Sequence, residues 1–215
     1  MPLICLVRHG QASADAEDYD VLSELGRAQA TAVGEELARR GLRDPQLVSG
    51  TLLRQRDTAQ LVAEAAGFGR MPEQDPRWNE YDHLALIDRY APPPHGSTSV
   101  QDLIDQALSA WIDDTGASEK ESWTAFTAGA DAALAELRSA LGRGRDAVVV
   151  TSGGVLAALC GSLLSLPREG VVALNRVTVN ASVSTLVVGA SGTTLLTFNE
   201  HAHFAGDRRS MLTYR

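Results

Sequence analysis

The feature that most constrains this chain is an alternation. Short apolar runs, LICLV (Leu3–Val7), PQLVSG (45–50) and DAVVVTS (146–152), are each followed by a glycine-bearing turn and then by a helical pattern. A short continuous apolar run is the signature of a strand covered on both faces. Parallel strands need long crossovers, and helices supply them. The alternation therefore predicts an α/β fold: a three-layer α/β/α sandwich with a mostly parallel central sheet. In such sheets ligands collect outside the carboxyl ends of the strands. That rule singles out Arg8-His9-Gly10, Ser49-Gly50 and Ser152-Gly153, because each group directly follows a predicted strand.

The spaces between these runs fill in the rest. Ser23 is placed to cap a helix running to about Arg40, closed by Gly41, with Ala30, Val33 and Leu37 on one face. TLLRQRDTAQLVAEAAG (51–67) reads as the next helix. Residues 67–99 are rich in loop formers, and APPPHGS (91–97) excludes regular helix or central strand. From Val100 to about Leu141 the period is helical with a break near Thr115-Gly116. This block predicts a helical cap or insertion at about 84–120 on a single domain spanning 1–215. VLAALCGSLLSL (155–166) is helical. VTVNASVSTLVVGASGTTLLTFN (177–199) reads as strands joined by turns, with ASG as a hairpin. The final EHAHFAGDRRSMLTYR is expected to be a polar tail.

Composition narrows the function. With 215 residues, 44% apolar and 21% charged, the chain can bury one substantial core. Its net charge of −8 does not indicate a nucleic-acid or anionic-membrane surface, though a local cluster of Arg and His can still oppose that charge. Cys5 and Cys160 sit in apolar runs and read as core residues; no Cys/His spacing suggests zinc. No leader segment and no bilayer-spanning run is expected, so a reducing cytoplasm is the default location.

Arg8-His9-Gly10 is the first chemical signal. Arginine grips phosphate in a fork that lysine cannot reproduce. A neutral imidazole is a nucleophile toward phosphorus, and a glycine lets the backbone approach an anion. Taken together, LVRHGQAS, LSELGRAQA and LVSGTLLRQRDTAQ resemble the histidine phosphatase superfamily, in its phosphoglycerate-mutase-like branch, in order and spacing over essentially the whole chain.

The resemblance implies a phosphohistidine mechanism without metal or other cofactor. It makes His9 the nucleophile and Arg8 and Arg54 the phosphate clamp, while Arg56 is a solvated helix residue. It makes Glu80, in RWNEYDH, the general acid, whose pKa must be raised for that role. His83 is open to two readings, cleft residue or solvated loop. The branch's second catalytic histidine should stand where VVVTSGG has Ser152. Serine donates one hydrogen bond but carries no charge. His203, or else His201, is the candidate replacement. Gln11, Ser13, Ser152 and Gly153 are candidate phosphate contacts, and Asp15 is expected to point away.

The expected activity is a phosphatase acting on a small phosphate monoester, with water as acceptor. The alternatives are a weakened or inactive relative that binds a phosphate-containing ligand or inorganic phosphate, and a mutase-type phosphotransferase. A nucleotide-binding module is disfavoured, because no glycine-rich phosphate loop follows the first strand. A homodimer is compatible with the reading; nucleic acid and membrane are not expected as partners.

Overall fold

The first apolar run becomes strand β1 (Leu3–Arg8), and its alternating side chains feed two separate cores. The computed structural model describes residues 1–13, 20–91, 93, 98–116, 121–142, 144–190 and 192–214. Asp15, most of APPPHGS and the centre of the ASG turn lie outside them.

The chain continues through α1 (Glu24–Arg39), β2 (Gln46–Ser49), α2 (Leu53–Ala66) and a two-residue strand β3 (Glu73–Gln74). Then come α3 (His83–Tyr90), α4 (Val100–Asp113), α5 (Trp123–Leu141), β4 (Ala147–Thr151), α6 (Gly153–Leu163) and α7 (Arg168–Val177). Strands β5 (Val183–Gly189) and β6 (Gly192–Glu200) complete the sheet. Its order is β3-β2-β4-β1-β5-β6. β3, β2, β4 and β1 pair in parallel; β5 is antiparallel to both its neighbours, so it alone is reversed.

Cys5, Val7, Leu47, Val148 and Val150 face α1 and α2, where Val33, Leu37, Ala59 and Val62 meet them. Ile4, Leu6, Val48, Ala147 and Val149 face the other way, onto Leu134 and Leu137 of α5 and Leu156 and Leu159 of α6. The pleat of each strand sends alternate residues to opposite faces, so a continuous apolar run is what a doubly covered strand requires. This is the expected α/β/α sandwich. Gly41 and Gly67 close α1 and α2 in the left-handed conformation, as their positions predicted.

Three elements depart from the sequence reading. Helix α3 falls in the 67–99 stretch expected to be rich in loop, at the start of the helical cap expected over about 84–120. It is only eight residues long, too short to show a period, yet Asp82 caps it by accepting from Leu84 and Ala85 N–H, and Leu86 is buried. Helix α7 was not anticipated. The polar tail is no solvated tail: residues Ala202–Phe204 and Gly206–Met211 form short 3-10 turns, and Phe204 is 2% exposed in the core. α3 and α4 share a satellite core of Leu86, Ala107, Leu108 and Trp111, which raises a wall beside the carboxyl end of the sheet.

Candidate active site

β1 leaves toward β2 through α1 on one face, whereas β4 is followed by α6 on the other. Neighbouring strands whose connections diverge in this way leave a crevice at their carboxyl ends. A cleft of about 570 Å³, including its open mouth, lies there. Arg8, His9, Arg54, Glu80 and Gly153 line one part of it; Tyr81, His83, Gln101, Ile104, Asn175 and Tyr214 line the remainder.

His9 is one residue beyond β1, and its N–H still donates to the Thr151 carbonyl of β4 at 2.9 Å. The imidazole is 6% exposed. Nδ1 lies 2.7 Å from the Gly10 carbonyl, which assigns the proton to Nδ1. Nε2 is then the lone-pair nitrogen, and Arg54 Nε donates to it at 3.2 Å. Burial first, then the positive charges of Arg54 and Arg8, holds the His9 pKa well below the ordinary histidine value. The ring is therefore neutral at neutral pH, the form that has an electron pair to give.

Arg54 sits in the first turn of α2. While its Nε meets His9, its Nη1 donates to Asp20 Oδ1 at 2.6 Å. Asp20 also accepts from Leu53 N–H at 2.7 Å, so one carboxylate caps the helix and aims the arginine. Arg8 Nη1 donates to the carbonyls of Thr178 and, at 2.8 Å, Tyr214. Two guanidinium groups thus flank one neutral imidazole.

Glu80 follows a short 3-10 turn (Pro76–Trp78). Its Oε2 accepts from Gly154 N–H at 2.9 Å and its Oε1 from Tyr81 N–H at 3.2 Å. A Cβ on Gly154 would lie 2.3 Å from Glu80 Oε1, so only glycine admits this seat. Burial raises the Glu80 pKa; the Gly154 N–H and the two arginines pull it back without cancelling the rise. The carboxyl is thereby shifted toward the protonated form a proton donor needs.

The sequence profile of the histidine phosphatase superfamily (branch 1) matches residues 4–201. The chain belongs to this superfamily. Glucosyl-3-phosphoglycerate phosphatase of Mycolicibacterium vanbaalenii is 31% identical over 192 residues, covering 77% of this chain and 76% of that protein. The protein of the same description from Mycobacterium tuberculosis is 33% identical over 194 residues, covering 76% of each. Among solved structures, mycobacterial glucosyl-3-phosphoglycerate phosphatase complexed with VO3 superposes with a TM-score of 0.66 at 31% identity, covering 94% of this chain and 100% of that one. The same enzyme has been solved with inorganic phosphate, with a TM-score of 0.65 at 29% identity. The chain is accordingly a metal-independent phosphatase, a phosphoric monoester hydrolase.

Several expected site residues do not reach the cleft. His203 is the clearest correction. It is 8% exposed, its Nε2 lies 3.0 Å from the Ala181 carbonyl, and its ring packs on Phe204. Burial pushes its pKa down to about 4, so it is a neutral core histidine and not a replacement cation. His201 is also elsewhere, with Nδ1 on the Asn199 carbonyl. Gln11 takes Ser23 Oγ onto its side-chain oxygen at 3.0 Å, and Ser13 pairs its N–H with Val21; neither is among the lining residues.

Ser152 is buried beneath the site, where Gln55 Nε2 donates to its Oγ at 2.8 Å and to the Trp78 carbonyl at 3.0 Å. Gly153 lines the cleft as expected. His83 takes the cleft reading, and Arg56 is exposed. Sequence reasoning missed Asp20, Gln55, Gln101, Asn175 and Tyr214. Gln55 lies within the LVSGTLLRQRDTAQ stretch but carried no sign of its contact with Ser152; the others stand outside the motifs and enter through packing between elements distant in sequence. Among the described residues no group of three His, Cys, Asp or Glu side chains is disposed to hold a metal ion, and no helix is long and apolar enough to cross a membrane.

Proposed function

We propose that His9 Nε2 attacks the phosphorus of a monoester while Glu80 protonates the departing oxygen. The nitrogen lone pair forms the N–P bond, and the P–O bond breaks with its electrons going to the leaving alkoxide. Arg8 and Arg54 oppose the charge spread over the equatorial oxygens. In the second half, water attacks phospho-His9, Glu80 takes its proton, and phosphate leaves with His9 restored as a neutral imidazole. The observation that carries this reading is the neutral His9, with Nε2 3.2 Å from Arg54 Nε, in one cleft with a carboxyl of raised pKa.

For the leaving group, Tyr81, His83, Gln101 and Asn175 offer hydrogen-bonding side chains beside Tyr214. That lining suits a small hydroxylated phosphate ester of the kind named for the mycobacterial relatives, glucosyl-3-phosphoglycerate. α3 and α4 would act as its cap within a single domain. Two free, buried cysteines support a cytoplasmic location.

The test is hydrolysis of a panel that includes glucosyl-3-phosphoglycerate, simple sugar phosphates and phosphoserine, in the presence of chelator. We expect hydroxylated sugar esters to lead, and His9→Ala to abolish both turnover and an acid-labile phosphoenzyme. Turnover by His9→Ala at the wild-type rate sinks the nucleophile; preference for phosphoserine sinks the substrate class.

A further inference from the structure

Two buried amides bolt the C-terminal segment to the loop that carries His9. Gln29 of α1, fully buried, accepts Gln11 N–H on Oε1 at 2.8 Å. Its Nε2 donates to the Met211 carbonyl at 2.6 Å and to Thr213 Oγ1 at 2.8 Å. Asn180, 1% exposed between α7 and β5, donates its N–H to the Thr213 carbonyl at 2.9 Å and accepts Thr213 Oγ1–H on Oδ1 at 3.0 Å. Its Nδ2 donates to the carbonyl of His9 itself at 3.3 Å. One residue further, the Tyr214 carbonyl accepts from Arg8 Nη1 at 2.8 Å, and Tyr214 lines the cleft. Arg8 Nε lies on the Gly153 side, 3.7 Å from where a Cβ of that residue would stand.

We infer that Thr213 and Tyr214 are positioning residues of the active site, which orient the Arg8 guanidinium toward phosphate. Closing the core does not require them. Met211 and Leu212 already pack against the cluster under α1 and α2, and an apolar continuation would seal that face without burying polar groups. Buried amides and hydroxyls are costly unless every group finds a partner. Here they are matched to one another, and the product of the match is the placement of one carbonyl on a flexible arginine. Nη1 is held by two carbonyls, Thr178 and Tyr214, so rotation about the long side chain is arrested with the Nε side toward Gly153. Loss of the tail removes the Tyr214 restraint on Nη1 and the Thr213 link between Gln29 and Asn180.

The inference rests on Arg8 being a phosphate clamp, and the experiment separates the two. The full-length enzyme, a chain ending at Leu212, Thr213→Val and the exposed control Arg209→Ala are compared by melting transition, by kcat and KM on p-nitrophenyl phosphate, and by the inhibition constant of inorganic phosphate. Ending the chain at Leu212 should cut kcat/KM by about thirtyfold and weaken phosphate inhibition by about tenfold, in line with losing part of one charge-stabilising contact. Thr213→Val should do the same more mildly, by roughly threefold to tenfold, while Arg209→Ala stays at the wild-type level.

In an Arg8→Ala background, ending the chain at Leu212 should weaken phosphate inhibition no further, because the tail acts through Arg8. A folded truncated enzyme with wild-type constants overturns the inference, as do additive losses in the Arg8→Ala background. If the truncated chain does not fold, an unchanged Thr213→Val overturns it instead. If Arg8→Ala alone leaves phosphate inhibition intact, the clamp reading falls, and this inference falls with it.

Discussion

Replacing Arg54 by lysine keeps the charge and removes the fork. The guanidinium reaches two partners at once, His9 Nε2 at 3.2 Å and Asp20 Oδ1 at 2.6 Å. An ammonium is a single point and must choose between them. Stability should fall by about 1–2 kcal/mol, the range for a bond to a charged group discounted because Asp20 is about a quarter exposed. That corresponds to a drop of roughly 3–6 °C in Tm for a chain of this size.

Transition-state stabilisation should fall further. Removing one well-placed donor costs about 2.7–4 kcal/mol, or 10²–10³ in rate. Because lysine retains part of the Coulomb attraction, Arg54→Lys should sit near the lower end, about a hundredfold in kcat/KM, and Arg54→Ala near a thousandfold or beyond. The two variants also differ in pH dependence. After burial, Arg54 is the largest cause of the depressed His9 pKa. Arg54→Ala should therefore move the acid limb of kcat/KM to higher pH, while Arg54→Lys leaves it nearly in place. The assay is kcat/KM on p-nitrophenyl phosphate from pH 4 to 9, with vanadate inhibition as a second readout. If Arg54→Lys stays within about threefold of wild type, the bidentate argument is wrong. If the acid limb does not move in Arg54→Ala, the electrostatic coupling to His9 is wrong.

Glu80→Gln should lower kcat/KM, which reports the steps through leaving-group departure, by about 10²–10⁴-fold on esters with poor leaving groups and much less on p-nitrophenyl phosphate, and it should flatten the alkaline limb that wild type shows as the raised Glu80 pKa is passed; equal losses of kcat/KM on both esters would exclude it as the acid. Ser152→His should destabilise by roughly 1–3 kcal/mol without raising activity, because an imidazole must displace the Gln55 amide from a fully buried site; a faster and equally stable variant contradicts that packing argument. His203 binds protons more readily unfolded than folded, since its folded pKa is about 4 against 6.5. Its contribution to stability is therefore present above the unfolded value and is lost as pH falls through 6.5 toward 4, by at most about 1.4 kcal/mol per pH unit. His203→Gln should flatten the fall of Tm across that window, and an unchanged slope would show that another group titrates there.

The strands were legible in the sequence because a doubly covered strand must be apolar at every position, and LICLV and DAVVV satisfy that requirement locally. The helix ends at Ser23, Gly41 and Gly67 were legible for a similar reason: capping is decided within a few residues. Helix α3 was hidden because its stability comes from Leu86 meeting α4 and from Asp82, not from a period. His203 was misjudged because a His-hydrophobic pair near a polar terminus carries no local sign of burial. Its environment is made by Ala181 and Phe204.

The sequence by itself determined the α/β/α class and the strand ends at which chemistry had to gather, because strand periodicity is a property of neighbouring residues, and its family resemblance put Arg8, His9, Arg54 and Glu80 forward as the candidates. Only the tertiary structure decided that His9 is neutral with its proton on Nδ1, that Glu80 is seated on Gly154, that Ser152 is turned under the site toward Gln55, and that the C-terminal residues return to Arg8. Apart from the Gly10 carbonyl that fixes the His9 tautomer, these features depend on groups tens to hundreds of residues away, and it is the sheet order and the packing of helices on it that bring those groups within hydrogen-bonding distance.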